Sequence, residues 1–291
     1  MRLNCRFCGK EHYKPAGFRK TKIGKKRVFK CMVCNRRFTP DNAYLRMKNE
    51  PSLISECISL NMSGMSFRLI SQHLKREKGI DVSHMSIYRW VRKYSKLVTP
   101  YADSLAIDGT NTHLHADEMM VQMNGKMVWF WDIISRENRF LLASRFSQTR
   151  ELDDAKALMK EARGKLDGLP MRITTDGLNS YPQAIKTAFA TRSYPRVEHY
   201  IAPGLMARVH NKLIERHHNS IRSRIKVMRG FCDMESATDI MNLWHMYFNF
   251  CRPNHSLHGQ TPSESAGLGR HSIKEMIEEA YEWKRNRHAG S

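Results

Sequence analysis

Apolar residues recur at helical spacing in three successive stretches that begin after Pro51. The first covers residues 53–60, and the second ends at Gly79, a residue type that favours the left-handed backbone just past a helix. The third begins after Ser83, which is a favourable N-cap. The sequence therefore predicts three short helices in succession, followed by a linker in residues 97–105.

The pattern changes to strands after the predicted linker. Residues 112–123 and 126–134 flank Asn124 and Gly125, a pair that favours a tight hairpin turn. Another apolar stretch, residues 139–146, follows after a short polar segment. We therefore expect adjacent antiparallel strands.

Helices and strands alternate in the next part of the chain. Thr149 is the predicted cap of a helix, a short strand ends at Asp176, and an apolar stripe runs from Val209 to Ile225 on a later helix. The elements are predicted in residues 149–163, 171–176, 181–190, 196–202 and 203–230. Ser272 and Glu275 form a capping box for a C-terminal helix that packs or dimerises. This order predicts a mixed sheet covered by helices, within a multidomain α/β protein.

Charge and composition indicate which kinds of partner and location this protein is expected to have. The chain has 291 residues and a formal net charge of +21. Residues 1–50 hold 15 Lys and Arg against three acids, a net of +12. Such a field favours a nucleic acid as partner. No long apolar run and no signal peptide occur, so we expect a cytoplasmic, nucleoid-associated protein with no membrane contact.

Two C-x-x-C pairs lie in the basic N-terminal segment. They are Cys5 with Cys8 and Cys31 with Cys34. Each pair can place two thiolates on a tight turn, so the four sulfurs predict a structural zinc site. The alternatives are two disulfides, which an intracellular chain disfavours, or unrelated thiols. The isolated Cys57, Cys232 and Cys251 are expected to be packed thiols.

The basic segments favour DNA binding. Residues 19–30, between the two cysteine pairs, predict a ribbon hairpin that could lie along phosphates, with a solvated charge run as the alternative. The helices before residue 100 fit a helix-turn-helix, whose last helix would present Arg89, Arg92 and Lys93 to DNA. A three-helix bundle with a basic face is the other interpretation.

Three separate carboxylates are candidates for one site. Asp117 lies in the first strand of the mixed sheet, Asp176 at a strand end and Glu215 on a later helix. Converging carboxylates repel, and Mg²⁺ or Mn²⁺ would relieve that repulsion. Glu118 and Asp132 are the alternatives to Asp117. Glu118 is expected on the opposite sheet face, and a buried or capping role suffices for Asp132.

Polar residues around Glu215 are candidates for supporting roles. Asn211 and His218 share its helix face and could orient it or touch a phosphate. Arg216, Arg222, Arg224 and Lys226 are expected to contact DNA phosphates. His113 and His115 are expected to be packing residues. Arg252, Asn254 and His255 either reach DNA or are structural.

Several blocks carry a family resemblance. Residues 115–162, 173–181, 210–231 and 247–264 contain the motifs H-x-D-E, T-D-G and N-x-x-I-E-x-x-H. They resemble the successive blocks of insertion-sequence DDE transposases with a retroviral-integrase-like core. The resemblance covers residues 108–268 and implies an RNase H-like fold, with strands 1 to 3 antiparallel and the rest parallel. It implies that Asp117, Asp176 and Glu215 are catalytic and bind the metal, for which two Mg²⁺ or Mn²⁺ ions are expected.

The leading hypothesis is a transposase that binds the ends of its element on double-stranded DNA, cleaves them and joins them to a target. Joining two ends requires at least a dimer. The predicted domains are a zinc ribbon (1–45), a helix-turn-helix (46–100), the RNase H-like core (108–268) and a C-terminal helix (269–291). A DNA-binding regulator with an inactive core and an RNase H-like nuclease or resolvase are the alternatives.

Overall fold

The N-terminal unit is a small antiparallel sheet that follows from the predicted hairpin. The computed structural model describes residues 3–21, 24–40, 42–44, 47–190, 197–202 and 211–289. Strands β1 (Tyr13–Thr21), β2 (Gly24–Cys31) and β3 (Arg37–Phe38) pair in that order. The pairing shifts register between Pro15 and Phe18, where Gly17 adopts φ +90°. The predicted ribbon hairpin is confirmed, although Lys22 and Ile23 lie outside the described residues.

Helices α1 (Pro51–Met62), α2 (Phe67–Lys78) and α3 (His84–Ala102) form the helical unit. Gly79 ends α2 with φ 63°, and the Ser83 hydroxyl accepts a hydrogen bond from the Ser86 amide at 3.2 Å. Both caps were predicted. Helix α3 continues through Leu97–Ala102, however, so most of the predicted linker is helical. Buried Val98 holds this last part of α3 in the core.

The rest of the described chain alternates strands and helices around a mixed sheet. The elements are β4 (Ile107–Asp108), β5 (His113–Met123), β6 (Lys126–Ser135), β7 (Leu141–Ser147), α4 (Leu152–Arg163), β8 (Leu166–Asp167), β9 (Arg172–Thr175), α5 (Ser180–Phe189), β10 (Glu198–Ile201), α6 (Lys212–Met228), α7 (Met234–Phe250), a 3₁₀ turn (His255–Leu257), α8 (Pro262–Ser265) and α9 (Ile273–Ala289). In the described residues the main sheet has five strands in the order β10-β9-β5-β6-β7. Strands β5, β6 and β7 pair antiparallel, and β9 and β10 join them in parallel. The predicted mixed sheet is confirmed.

The backbone conformation of the turn explains the hairpin between β5 and β6. Local hydrogen bonds place the start of α4 later than predicted. Asn124 and Gly125 have φ 47° and 77°, as a type I′ turn requires. Helix α4 begins at Leu152, with Glu151 rather than Thr149 as its N-cap. Thr149 instead donates to Asp154 at 2.6 Å. Val209, predicted on the stripe of α6, lies outside the described residues.

The helical unit and the sheet share a continuous hydrophobic core. Helix α3 packs against α7, where Arg92 Nε donates to Asp239 Oδ2 at 2.8 Å. Helix α9 packs on α1 and α3 through the predicted stripe, including buried Met276 and Ile277. The predicted capping box is present, because Ser272 N donates to Glu275 at 2.7 Å and Ser272 Oγ accepts in return. The C-terminal helix is therefore a packing helix within this chain.

Arg224 joins α6 to the helical unit. The residue is 5% exposed, and its guanidinium donates to the backbone carbonyls of Asn61 and Met62 and to the Asn61 side chain. Burial lowers the pKa of Arg224 to about 10. The carbonyls belong to the last turn of α1, where a cation is favourable. The buried position does not fit the predicted phosphate contact, so Arg224 is corrected to a structural residue.

We expect Arg224→Met to lower the free energy of unfolding by about 2–4 kcal/mol, because it leaves buried carbonyl groups without their charged donor. Urea denaturation followed by circular dichroism would measure this change. The matched control is Arg222→Met, two residues away on the exposed side of α6, with an expected change within about 0.5 kcal/mol. Equal effects of the two substitutions would contradict the role assigned to Arg224.

Within the described residues, no helix has the length and apolar character needed to cross a membrane.

Candidate active site

Asp117 lies on the central strand of the sheet. Strand β5 pairs with both β6 and β9, and Asp117 is directly opposite Asp132 on β6. Opposite residues in an antiparallel pair point to the same face, so these two acids share the face that α6 covers. His218 of α6 lies between them, with Nδ1 3.6 Å from Asp117 and Nε2 3.5 Å from Asp132. The imidazole thus separates two acids that would otherwise repel.

Asp176 follows the last residue of β9. Because β9 is the parallel neighbour of β5, the chain leaves β9 beside Asp117. One Asp176 oxygen accepts from the Leu178 amide at 3.0 Å, which orients the carboxylate. Ligand oxygens of Asp117, Glu118 and Asp176 all lie within 4.8 Å of one another. The structure therefore brings together two of the three predicted carboxylates, with Glu118 as an additional member.

The electrostatics of this cluster suit a cation. Burial raises the pKa of Asp117 to about 7; His218 opposes the rise, and the charges of Glu118 and Asp176 add to it. Burial also raises the pKa of Glu118. Carboxylates held this close, one of them buried and two partly buried, favour a divalent ion, which takes hard oxygen ligands. The donor set fits Mg²⁺ or Mn²⁺.

Glu118 is tied to the other face of the sheet, as its position in β5 predicts. Tyr181 Oη donates to it at 2.6 Å and Arg150 Nε at 2.5 Å. Arg150 also donates to Asp176 at 3.2 Å, and its guanidinium lies 4.8 Å from the centre of the Trp129 ring. Arg150 and Tyr181 were not predicted. The available signal was a cation just before an acidic helix start, where the helix dipole disfavours positive charge.

Glu215 is on the first turn of α6 and exposed, outside the carboxylate cluster found in the described residues. Its predicted neighbours are anchored to β5. Asn211 Nδ2 donates to the Ala116 carbonyl at 3.2 Å, and its Oδ1 lies 2.7 Å from His115 Nδ1. His218 contacts Asp117, as described above. Helix α6 is therefore held against β5 on both sides of Glu215 along the helix.

Asp132 has buried histidine partners on α6 that the sequence did not predict. Asp132 is fully buried, and His217 Nε2 lies 3.4 Å from its carboxylate. Burial raises the pKa of Asp132, but His217 and His218 together lower it to about 2. Asp132 is thus the buried acid that was one expectation from sequence. Its partners, two consecutive histidines, could be assigned only from the packing of α6 on β6.

The residues expected to bind DNA divide into two groups. Arg89, Lys93, Arg216, Arg222 and Lys226 are exposed. Arg92 is engaged inside the chain, because its guanidinium pairs with Asp239 and, at 2.7 Å, with Glu235 of α7. Arg92 therefore joins α3 to α7, which corrects its predicted role. Lys93 Nζ lies 3.1 Å from the Met47 sulfur at the edge of the helical unit.

The four N-terminal cysteines converge as predicted. Their sulfurs lie within 4.8 Å of one another, with Cys5 to Cys34 and Cys8 to Cys31 both 3.6 Å apart. Tetrahedral zinc with Zn–S bonds of about 2.3 Å separates sulfurs by about 3.8 Å. The backbone amide of Cys34 contributes most to lowering the pKa of Cys31 to about 6. The cluster is compatible with structural zinc.

The remaining cysteines and strand histidines differ in environment. Cys57 is buried and Cys251 partly buried, as expected of packed thiols, but Cys232 is exposed. Burial raises the pKa of Cys57 to about 12. His115 is buried against Asn211, and His113 contacts Met171 and Glu137. Both histidines are structural contacts of β5.

Comparisons with known proteins address this part of the chain. A family model of the DDE domain, of the IS240 transposase type, matches residues 111–250. No curated protein matches the chain. Solved structures with a similar fold include a simian T-cell lymphotropic virus intasome in complex with PP2A regulatory subunit B56 gamma. That match has TM-score 0.40 and 11% identity, and covers 56% of this chain and 55% of that chain.

Two integrase catalytic cores are also similar in structure. The HTLV-2 core in complex with magnesium has TM-score 0.38 and 11% identity, over 56% of this chain and 96% of its own. The BIV core has TM-score 0.37 and 11% identity, over 60% of this chain and 97% of its own. The family match, the strand order and the carboxylates on β5 and after β9 agree on one assignment. Residues 111–250 are therefore assigned to the DDE domain family.

Proposed function

We propose that this chain binds the ends of an insertion element and catalyses metal-dependent cleavage and joining of DNA strands. The observation that carries the proposal is the convergence of Asp117 and Asp176 beside a helix that presents Glu215. The same acids are the ones that the sequence motifs assign to catalysis.

Asp117, Asp176 and Glu215 are proposed to hold Mg²⁺ or Mn²⁺. Bound there, two ions would activate an attacking oxygen and stabilise the leaving oxygen at phosphorus. Glu215 is the third ligand in this proposal because it is exposed and has no assigned partner among the described residues. Glu118, by contrast, is already satisfied by Arg150 and Tyr181. Glu118 therefore fits a role in positioning Arg150 against Asp176.

The neighbouring side chains hold the geometry. Asn211 and His218 fix α6 against β5, and Glu215 lies on the first turn of that helix. Asp132 and His217 stabilise the same contact from inside the sheet. Positioning of this kind is a main contribution of the protein in phosphoryl transfer.

Double-stranded DNA is the proposed partner, both as element end and as target. The net charge of +21 supports it, as do the basic hairpin of β1 and β2 and the exposed Arg89 at the start of α3. The proposed units are the zinc ribbon (1–45), the helix-turn-helix (46–100), the catalytic core (108–268) and the C-terminal helix (269–291). A homodimer or larger assembly would bring two DNA ends together.

The direct test is a strand-transfer assay with duplexes taken from the DNA that flanks this reading frame. With Mg²⁺ or Mn²⁺ we expect a nick that leaves a 3′-hydroxyl, followed by covalent joining of that end to a second duplex. Cleavage with no joined product would indicate a nuclease or resolvase instead. A chain that binds these duplexes but takes up no Mn²⁺ in calorimetry and cuts nothing would indicate a DNA-binding regulator.

A further inference from the structure

Arginines from three separate elements line a cavity beside α6. The cavity has a volume of about 340 Å³, and Arg139, Arg216 and Arg252 contribute to its wall. Arg139 is in the turn between β6 and β7, Arg216 is on α6, and Arg252 follows α7. Ser220, His255 and Ser256 add further polar groups. We refer to this site as the arginine cavity.

The charges in the arginine cavity are unbalanced. Among the described residues that line it, no side chain is acidic. Burial lowers the pKa of Arg139, and Arg136 and Arg216 lower it further while Glu137 opposes them. Guanidinium groups that disfavour one another's charge in a partly enclosed space are stabilised by an anion.

The backbone segments that carry Arg139 and Arg252 have defined local conformations. Arg139 adopts φ 58°, a left-handed conformation that is uncommon for a residue with a long side chain. On the opposite wall, Asn254 Oδ1 accepts from the Ser256 amide at 3.0 Å, and Asn254 N donates to the Gln260 carbonyl at 2.8 Å. These bonds order the segment after Arg252 internally. The arginines are thus presented by ordered turns rather than by loose surface chains.

Helix α6 separates the arginine cavity from the carboxylates. Asn211 and His218 contact β5, whereas Arg216 and Ser220, one turn apart, line the cavity. Successive helical residues are rotated by about 100°, so the Asn211 and Ser220 faces lie on opposite sides of the helix. An anion in the cavity is therefore distinct from a phosphate at Asp117.

We infer that the arginine cavity binds a backbone phosphate of DNA other than the one that is cut. The inference rests on the proposed function and extends it to a second contact on the same DNA. Arg216 and Arg252 are exposed at the mouth of the cavity, so a polymer can reach them. Exposed Arg222 and Lys226 add positive charge on another face of α6, the face that carries Glu215. Arginine forks match the oxygens of a phosphodiester.

The test compares DNA binding by the full chain and by the double variant Arg216→Ala/Arg252→Ala, without added divalent metal. A duplex of about 40 base pairs suffices, because phosphate contacts are independent of sequence. We expect the variant to bind about tenfold or more weakly and to lose roughly one to two units of the slope of log affinity against log salt. Lys284→Ala, on exposed α9 surface, removes one positive charge as the control and should bind as wild type does.

A methylphosphonate scan would locate the contacted phosphate on an element-end duplex. Neutralising that phosphate should lower the DNA affinity of the wild-type chain and leave the DNA affinity of the double variant unchanged. The position should differ from the cleaved phosphate found in the strand-transfer assay. If the double variant were simply unfolded, its loss of affinity would not depend on which phosphate is neutralised.

The outcomes are separable. Equal DNA affinity of wild type and double variant would overturn this inference alone, and so would coupling to the cleaved phosphate itself. If calorimetry shows inorganic phosphate bound through these arginines while the double variant keeps full DNA affinity, the cavity is a small-anion site and the inference is overturned. A wild-type chain that binds no DNA would overturn the proposed function as well.

Discussion

The substitution Asp176→Asn is expected to reduce metal-dependent DNA cleavage and joining at least about a thousandfold. It removes a carboxylate charge from the proposed metal site, where a bound divalent ion would contribute several kcal/mol to stabilising the transition state. The side chain keeps its shape, so the hydrogen bond from the Leu178 amide can persist. The rates of nicking and strand transfer would measure the loss, and DNA affinity should change little.

A paired comparison assigns the third ligand. Glu215→Gln should reduce cleavage as severely as Asp176→Asn, whereas Glu118→Gln should act mainly through the hydrogen bonds with Arg150 and Tyr181. Asp153→Asn, at a side chain that is 94% exposed on α4, is the matched control with full expected activity. If Glu118→Gln abolished cleavage and Glu215→Gln did not, the cluster of Asp117, Glu118 and Asp176 would be the metal site.

Removal of zinc is expected to unfold the N-terminal unit and leave the rest folded. Apart from the cysteines, the buried core of this unit contains Phe38 and few other side chains. Zinc binding in small modules contributes about 10–16 kcal/mol, so this small core should not persist without it. Cys31→Ala should therefore eliminate zinc uptake and the dispersed NMR signals of the β1 and β2 hairpin.

The matched control is Cys232→Ala, because Cys232 is exposed and distant in sequence from the cluster. This variant should keep one zinc ion per chain by mass spectrometry of the native protein. DNA affinity at low salt should fall for Cys31→Ala, since the basic hairpin is then no longer held as a ribbon. A hairpin that stays folded after chelation would contradict a structural role for zinc.

Sequence patterns predicted most of the regular elements because each depends on neighbouring residues. Ser83 and Gly79 define helix ends through their own backbone preferences, and Asn124 with Gly125 defines a turn in the same way. Alternation in β5 also placed Asp117 and Glu118 on opposite faces. The boundaries that failed, at Thr149 and after Leu97, depend on competing caps and on packing with distant helices.

Several side-chain roles depended on partners far away in the sequence. Arg92 and Arg224 belong to basic segments typical of DNA contact, yet Arg92 pairs with Asp239 and Arg224 with Asn61. Its positive charge alone does not show whether an arginine contacts a DNA phosphate or pairs with another residue of the same chain. The choice depends on which elements pack together. Arg150 was missed for the same reason, since its carboxylate partners come from β5 and the end of β9.

The sequence by itself determined the cysteine cluster, the order of helices and strands, and the motifs that contain Asp117, Asp176 and Glu215. Spacing, caps and alternation depend on residues that are close in sequence, so they can be recognised from the sequence alone. Only the tertiary structure decided that Glu118 joins the carboxylate cluster and that Glu215 is exposed and outside it. It also decided which arginines are buried as clamps and which converge on a cavity, because burial and pairing arise from contacts between distant segments.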